Sequence, residues 1–246
     1  MFYEPKDGHG LTKNPFNSLV IPRPIGWISS IDSQGNVNLA PYSFFNGVSY
    51  RPPTVMFASG NGEVEDDGMK DSVRNIIETG EFVHNFVTWD VRDAMNLSSA
   101  TTSKDVDELA AAELTPIPST LVKAPRVAES PIHLECKLIH HLDLPNTTGN
   151  SKYTVLFGEV IGVHITDELI NEEGRIDIGK LHPIARMGYQ DYTEVTAETV
   201  FTLERPGFLS KDEIYARRRP AGAAPSVRNT QASHRFYIHR LLNMQT

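Results

Sequence analysis

Cysteine is nearly missing from this 246-residue chain: Cys136 stands alone, so no disulfide can form within it. A lone thiol fits a reducing, cytoplasmic setting. No apolar run approaches the ~20 residues that cross a bilayer, so no membrane role is expected. The opening MFYEPKDGHG has no basic stretch ahead of an apolar one, which argues against a secretory leader. Basic charge is also scarce. The chain carries 23 Lys+Arg against 31 Asp+Glu, a net charge of -8, which speaks against a nucleic-acid binder. Neither GxGxxG nor GxxxxGK[ST] follows any strand-like run, so the common dinucleotide and P-loop cradles are missing. No zinc-ligand spacing occurs, and no metal site is expected.

What remains is the composition of an ordinary globular protein, 39% hydrophobic and 22% charged. A chain this long buries about 70–75% of its unfolded surface and needs no staple. Its charge is unevenly spread. Residues 205–246 hold eight Lys/Arg and two Asp/Glu, which leaves -14 on residues 1–204. With Arg217, Arg218, Arg219 and then PAGAAPS, this end reads as a basic arm lying on an acidic body, its own or a neighbour's.

Strand signals dominate the rest. Residues 24–31 (PIGWISSI) end in the turn composition of 32–35. A partner strand from Asn36 reads as interrupted near Pro41, because proline gives no amide to a ladder and belongs at an edge or bulge. Further strands are expected at 54–59, 81–87, 132–140 and 154–165. Helices are expected at 72–79, 90–97 and 105–112. In the first, Val73, Ile76 and Ile77 share a face, with Asp71 as cap and Gly80 as stop. Residues 181–192 are mixed. Five or six strands with a few inserted helices suit a mainly antiparallel barrel rather than a doubly wound sheet.

Four segments could carry chemistry. Residues 38–49 (NLAPYSFFNGVS) combine a broken strand, whose freed backbone groups need partners, with the flat side chains of Tyr42, Phe44 and Phe45 and the hydroxyl of Ser43. The alternative is an aromatic core strand. Residues 69–75 (MKDSVRN) place Lys70, Ser72 and Arg74 at a helix start, where free amides favour an anion. There Asp71 either caps the helix or pairs with Lys70 or Arg74, and the alternative is an ordinary surface helix. Ser59-Gly60 ends a strand and permits close approach. In residues 181–189, His182, Arg186 and Tyr189 make either a ligand wall or a surface loop. His140-His141 and Glu135-Cys136 alternate across a strand and read as bland. Residues 60–68 and the serines and threonines at 98–103 read as solvated loops.

Taken together, RPIGWIS at 23–29, NLAPYSFFNGVS at 38–49, RPP at 51–53, KDSVRNIIETGEFVHN at 70–85 and GEVIGVHI at 158–165 resemble the flavin reductase-like, FMN-binding split-barrel family. LSSA at 97–100 and LHPIARMGYQDY at 181–192 resemble later segments of it. The resemblance covers about residues 15–206. It implies a mainly β fold with inserted helices, a six-stranded antiparallel split β-barrel over 1–206, with 207–246 as a basic C-terminal arm. It further implies a homodimer with FMN as cofactor and NADH or NADPH as electron donor. Ala40, Pro41, Tyr42, Ser43 and Phe44 would face the flavin ring. Lys70, Ser72, Arg74 and Asn75 would hold the phosphate, with Arg23 and Ser59 as further contacts. His182 and Arg186 would position the nicotinamide or an acceptor. The expected activity is that of a flavin reductase-like oxidoreductase, which passes electrons to free flavin or another acceptor. The alternative is a non-catalytic FMN carrier or store.

Overall fold

The structure, a computed structural model, describes residues 1–60, 69–100, 106–145, 153–210, 212 and 214. The loop expected beyond Gly60, the polar run at 101–103 and most of the basic arm lie outside the described residues. Met1–Phe201 form one compact unit. In chain order the described elements are α1 (Phe16–Leu19), β1 (Gly26–Ile31), β2 (Val37–Tyr42), β3 (Phe45–Tyr50), β4 (Pro53–Ser59), α2 (Asp71–Thr79) and β5 (Glu81–Asn85). There follow α3 (Arg92–Leu97), α4 (Glu108–Ala111), β6 (Pro116–Ile117), β7 (Arg126–Val127), β8 (Ile132–Leu144) and β9 (Tyr153–Ile165). The last are α5 (Ile178–Leu181), β10 (Ile184–Arg186) and β11 (Tyr192–Glu194).

Seven strands form the main sheet in the order β2-β1-β5-β8-β9-β4-β3, one more than the six expected. Every described pairing is antiparallel. Connectivity shows that the sheet is curled shut. β2 and β3 are opposite edges, yet only Ser43 and Phe44 join them. The three steps from Tyr42 to Phe45 reach at most about 11 Å, so the ends of the two edge strands lie close together. The Ala58 amide donates to the Phe44 carbonyl at 2.8 Å and ties this link to β4. Phe45 then packs across the closure, where a Cβ on Gly26 would stand 2.5 Å from its ring.

The strand therefore breaks at Ser43–Phe44, not at Pro41. Pro41 stays in β2, in register with Trp27. The reason lies in the edge. The Leu39 amide points away from β1, toward the Glu108 carboxylate at 3.5 Å, and Pro41, two residues on, has the same orientation. Its missing N–H costs the ladder nothing.

Alternation along the strands gives two cores. Ile28, Tyr42, Phe57, Phe82, Cys136 and Leu156 fill the barrel with Val73 and Ile76 of α2. Trp27, Leu39, Met95, Leu109 and Val127 pack on the other face of β1 and β2 under α3 and α4. Ile77 does not share the buried face of α2; at 37% exposure it lies at the margin. The helix stops at Gly80, whose φ of +73° only glycine adopts freely. Strand β8 runs four residues past its expected end.

Residues 115–130 lie along the outer face of β1, β5 and β8, held by buried polar side chains. Glu135, fully buried, accepts from the amides of Thr120 at 2.7 Å and Leu121 at 2.6 Å and from His164 at 2.5 Å. Asn85 accepts from the Val127 amide at 2.8 Å, and Ser29 donates to the Pro125 carbonyl at 2.5 Å. No described helix is long and apolar enough to cross a membrane.

Candidate functional site

The two sequence features picked out for a ligand, the broken strand and the cationic helix start, come together at Tyr42. Its ring is buried against Phe57, with centroids 4.8 Å apart. Its hydroxyl donates to the Ser72 hydroxyl at 2.9 Å, and the Ser59 hydroxyl reaches it from the end of β4. Asn38 donates its amide to the same Ser72 oxygen at 2.7 Å. Three distant segments thus share one hydroxyl network. Burial raises the Tyr42 phenol above its ordinary range, and the bonds from Ser72 and Ser59 only partly oppose that rise.

The tip of α2 carries its own signature. Lys70 is the N-cap; its side chain makes no cap bond, and its carbonyl accepts from the amides of Val73 and Arg74. Asp71 is therefore not the cap. It is the first helical residue, and its carboxylate turns to Arg74 at 2.6 Å, where Coulomb attraction outcompetes capping. The exposed Lys70 ammonium lies 5.8 Å from the Tyr42 ring centroid, with no carboxylate within 4.0 Å among the described residues. The Asp71 and Ser72 amides at this helix start, beside an ammonium with no carboxylate partner among the described residues, suit a phosphate.

At the other end of the link, Arg23 is buried at 6% exposure. It donates to Ser43 Oγ at 3.4 Å and to the carbonyls of Asn17 and Val20, and its guanidinium lies 5.7 Å from the Phe44 ring centroid. Burial, and then the charge of Arg186, hold its pKa below the ordinary arginine value. The backbones of Arg23 and Arg186 exchange two hydrogen bonds of 2.9 Å. The β10–β11 hairpin thereby meets the Ser43–Phe44 link.

A family model, the Flavin reductase like domain, matches residues 18–183. The chain belongs to the flavin reductase-like family. A protein of Aquifex aeolicus (strain VF5) is 37% identical over 180 residues, 73% of this chain and 88% of its own length. Nitrilotriacetate monooxygenase component B from Bacillus cereus superposes with a TM-score of 0.72 at 31% identity, over 82% of this chain and 98% of that one. Pseudomonas fluorescens 2-nitrobenzoate 2-nitroreductase NbaA does so with a TM-score of 0.68 at 32% identity, over 79% and 90%. The closed antiparallel sheet described above is thus the split barrel of a flavin-binding family.

Within this flavin reductase-like domain the expected residues fall into two groups. Arg23, Ser43, Phe44 and Arg186 gather at one end of the link, and Tyr42, Ser59, Lys70 and Ser72 at the other. Ala40 and Pro41 precede Tyr42 in β2, in register with Ile28 and Trp27. The remaining members are already engaged. Ser72, 1% exposed, is a junction between β2 and α2. Asn75 is buried and donates to Ser30 at 3.3 Å. Arg74 is neutralised by Asp71. The space at Gly60 is closed by Tyr153, whose ring would stand 3.1 Å from a Cβ there. His182 bonds Glu194 at 2.5 Å rather than a neighbour of Arg23.

The structure also shows residues that were not anticipated. A cleft of about 580 Å³ lies between α3 and β10–β11, walled in part by Trp89, Arg92, Arg186 and Tyr192. Trp89 and Arg92 gave no signal because the opposite wall of the cleft, Arg186 and Tyr192, lies about a hundred residues away in sequence. Glu135 offered one: a carboxylate between Leu134 and Cys136 in a strand must be paired if buried.

Proposed function

We propose that the protein binds FMN and works as an oxidoreductase, taking hydride from NADH or NADPH and handing electrons to free flavin or another acceptor. The observation that carries this reading is the Tyr42–Ser72 bond, which draws an open strand edge and an uncapped cationic helix tip into one site. The donor set suits a phosphorylated flavin. Lys70 and the first amides of α2 would hold the phosphate. The Ala40–Phe44 backbone edge, with Ser43 and Arg23 beside it, would face the ring. Ser72, Ser59 and Asn75 shape the cradle from within, and Arg74 sets the local charge through Asp71.

Bound FMN supplies the electron chemistry that no side chain here possesses. The chain's residues therefore bind, orient and exclude water, and none is assigned as a general acid or base. Arg186 and His182 would position a nicotinamide or an acceptor. The nitroreductase and monooxygenase-component names of the relatives support an oxidoreductase. A homodimer is supported by the outward face of β3, where Val48 is 49% and Tyr50 84% exposed.

The test is anaerobic. Purified protein should show flavin absorbance that bleaches with NADH or NADPH. A yellow protein that neither nucleotide bleaches would be a carrier or store, and a colourless one that takes up no FMN would refute flavin binding.

A further inference from the structure

The cleft between α3 and the β10–β11 hairpin is built differently from the Tyr42 site. Each guanidinium on its wall lies on an aromatic face: Arg92 is 4.1 Å from the Trp89 ring centroid, and Arg186 is 4.5 Å from that of Tyr192. Trp89 is 45% and Tyr192 38% exposed, while the lining residues Met95 and Ile184 belong to the buried core and give the cleft an apolar floor.

Its charges do not balance pairwise. Arg92 meets Asp93 at 3.3 Å, and Glu194 is engaged by His182 at 2.5 Å. Arg186 has no such partner. It donates to the Tyr192 hydroxyl and to the Tyr189 carbonyl, both neutral, and among the described residues no carboxylate lies within 4.0 Å of it. Those bonds use two of its five N–H donors and leave three. Arg23, bridged to it by backbone, also has only neutral acceptors among the described residues. Two guanidiniums thus stand together with no counter-ion among the described residues, in a chain of net charge -8. A partly buried charge of this kind calls for an anion. The flat walls and apolar floor call for a planar ring, and the volume admits one or two fused rings.

We propose that this cleft binds a planar aromatic carboxylate, with its carboxylate on the free donors of Arg186 and its ring against Trp89 and Tyr192 above Met95 and Ile184. The fork geometry of a guanidinium matches a carboxylate. The site needs no flavin to form, so it stands or falls apart from the FMN reading.

Titration calorimetry of the full chain as purified tests it, with benzoate, benzamide and inorganic phosphate as probes. Benzoate should bind about tenfold or more tightly than benzamide. Arg186→Gln should erase that difference, and Arg186→Lys should retain part of it. Asn96→Phe, which fills the cleft mouth and leaves Arg186 intact, should abolish benzoate binding even if the Gln variant folds poorly. Equal binding of benzoate and benzamide, no heat at millimolar benzoate, or phosphate binding as well as benzoate would overturn the proposal. The absorbance of the same sample reports on flavin separately.

Discussion

Replacing Ser72 by alanine tests whether this hydroxyl is a structural junction or a ligand contact. The side chain is 1% exposed and accepts from Tyr42 at 2.9 Å and from Asn38 at 2.7 Å. Removing it deprives two donors. Asn38 is only half-buried and can turn to water, whereas Tyr42 is buried and keeps only Ser59. The expected cost is therefore that of one buried hydrogen bond, about 1–2 kcal/mol. At this chain length that is a drop of roughly 2–4 °C in Tm per kcal/mol. Tyr42→Phe should cost a similar amount, and the double variant should cost clearly less than the sum, because the two share a bond. Urea unfolding of the four proteins measures the cycle. FMN and riboflavin affinities should fall together, because the whole cradle loosens. Strict additivity, or a loss confined to FMN with stability unchanged, would refute the junction and make Ser72 a phosphate ligand.

Other perturbations separate the remaining roles. Lys70→Ala should leave stability within about 0.5 kcal/mol, as for an exposed side chain, yet weaken FMN several-fold while sparing riboflavin, as fluorescence titration would show. His84 stacks on Phe45 at 4.5 Å inside the barrel, and burial, with the charge of His133, pushes its pKa down to about 3. The unfolded chain then gains a proton below about pH 6.5 that the folded state refuses, so stability is full above that pH and falls toward pH 3, by about 1.4 kcal/mol per unit at most from this group. His84→Leu should flatten that slope in urea titrations between pH 6.5 and 4; an unchanged slope would exclude His84 as its source. Gly188→Ala places a Cβ 2.7 Å from Ser18 Cβ and 3.0 Å from its Cα. Limited proteolysis should then cut residues 14–21 faster, and Ser18→Gly should partly restore resistance.

Local chemistry was legible in the sequence wherever it was written in neighbouring residues. The β-branched and aromatic runs gave β1, β4, β5 and β9, and Gly80 gave the end of α2. The role of Asp71 was left open between capping and pairing with Lys70 or Arg74, and only three-dimensional distance decides for Arg74. The Pro41 break was misplaced for a related reason. Proline disrupts a ladder only where its N–H side faces a partner strand, and edge position is a property of topology. The Tyr42 network was half legible: Tyr42, Ser59 and Ser72 were named, but not that Asn38 and Tyr42 share the Ser72 hydroxyl while Ser59 reaches the Tyr42 phenol. The cleft was half legible: Arg186 had been named in a segment read as a ligand wall or a surface loop, whereas Trp89 and Arg92 on the facing side carry no pattern of their own.

The short Ser43–Phe44 link has a further consequence. It works as a seam: as long as it stays two residues long, neither raw border of the sheet can swing free to recruit a strand from another molecule. Lengthening it would release both borders at once, so this small stretch guards the protein's solubility as much as its shape.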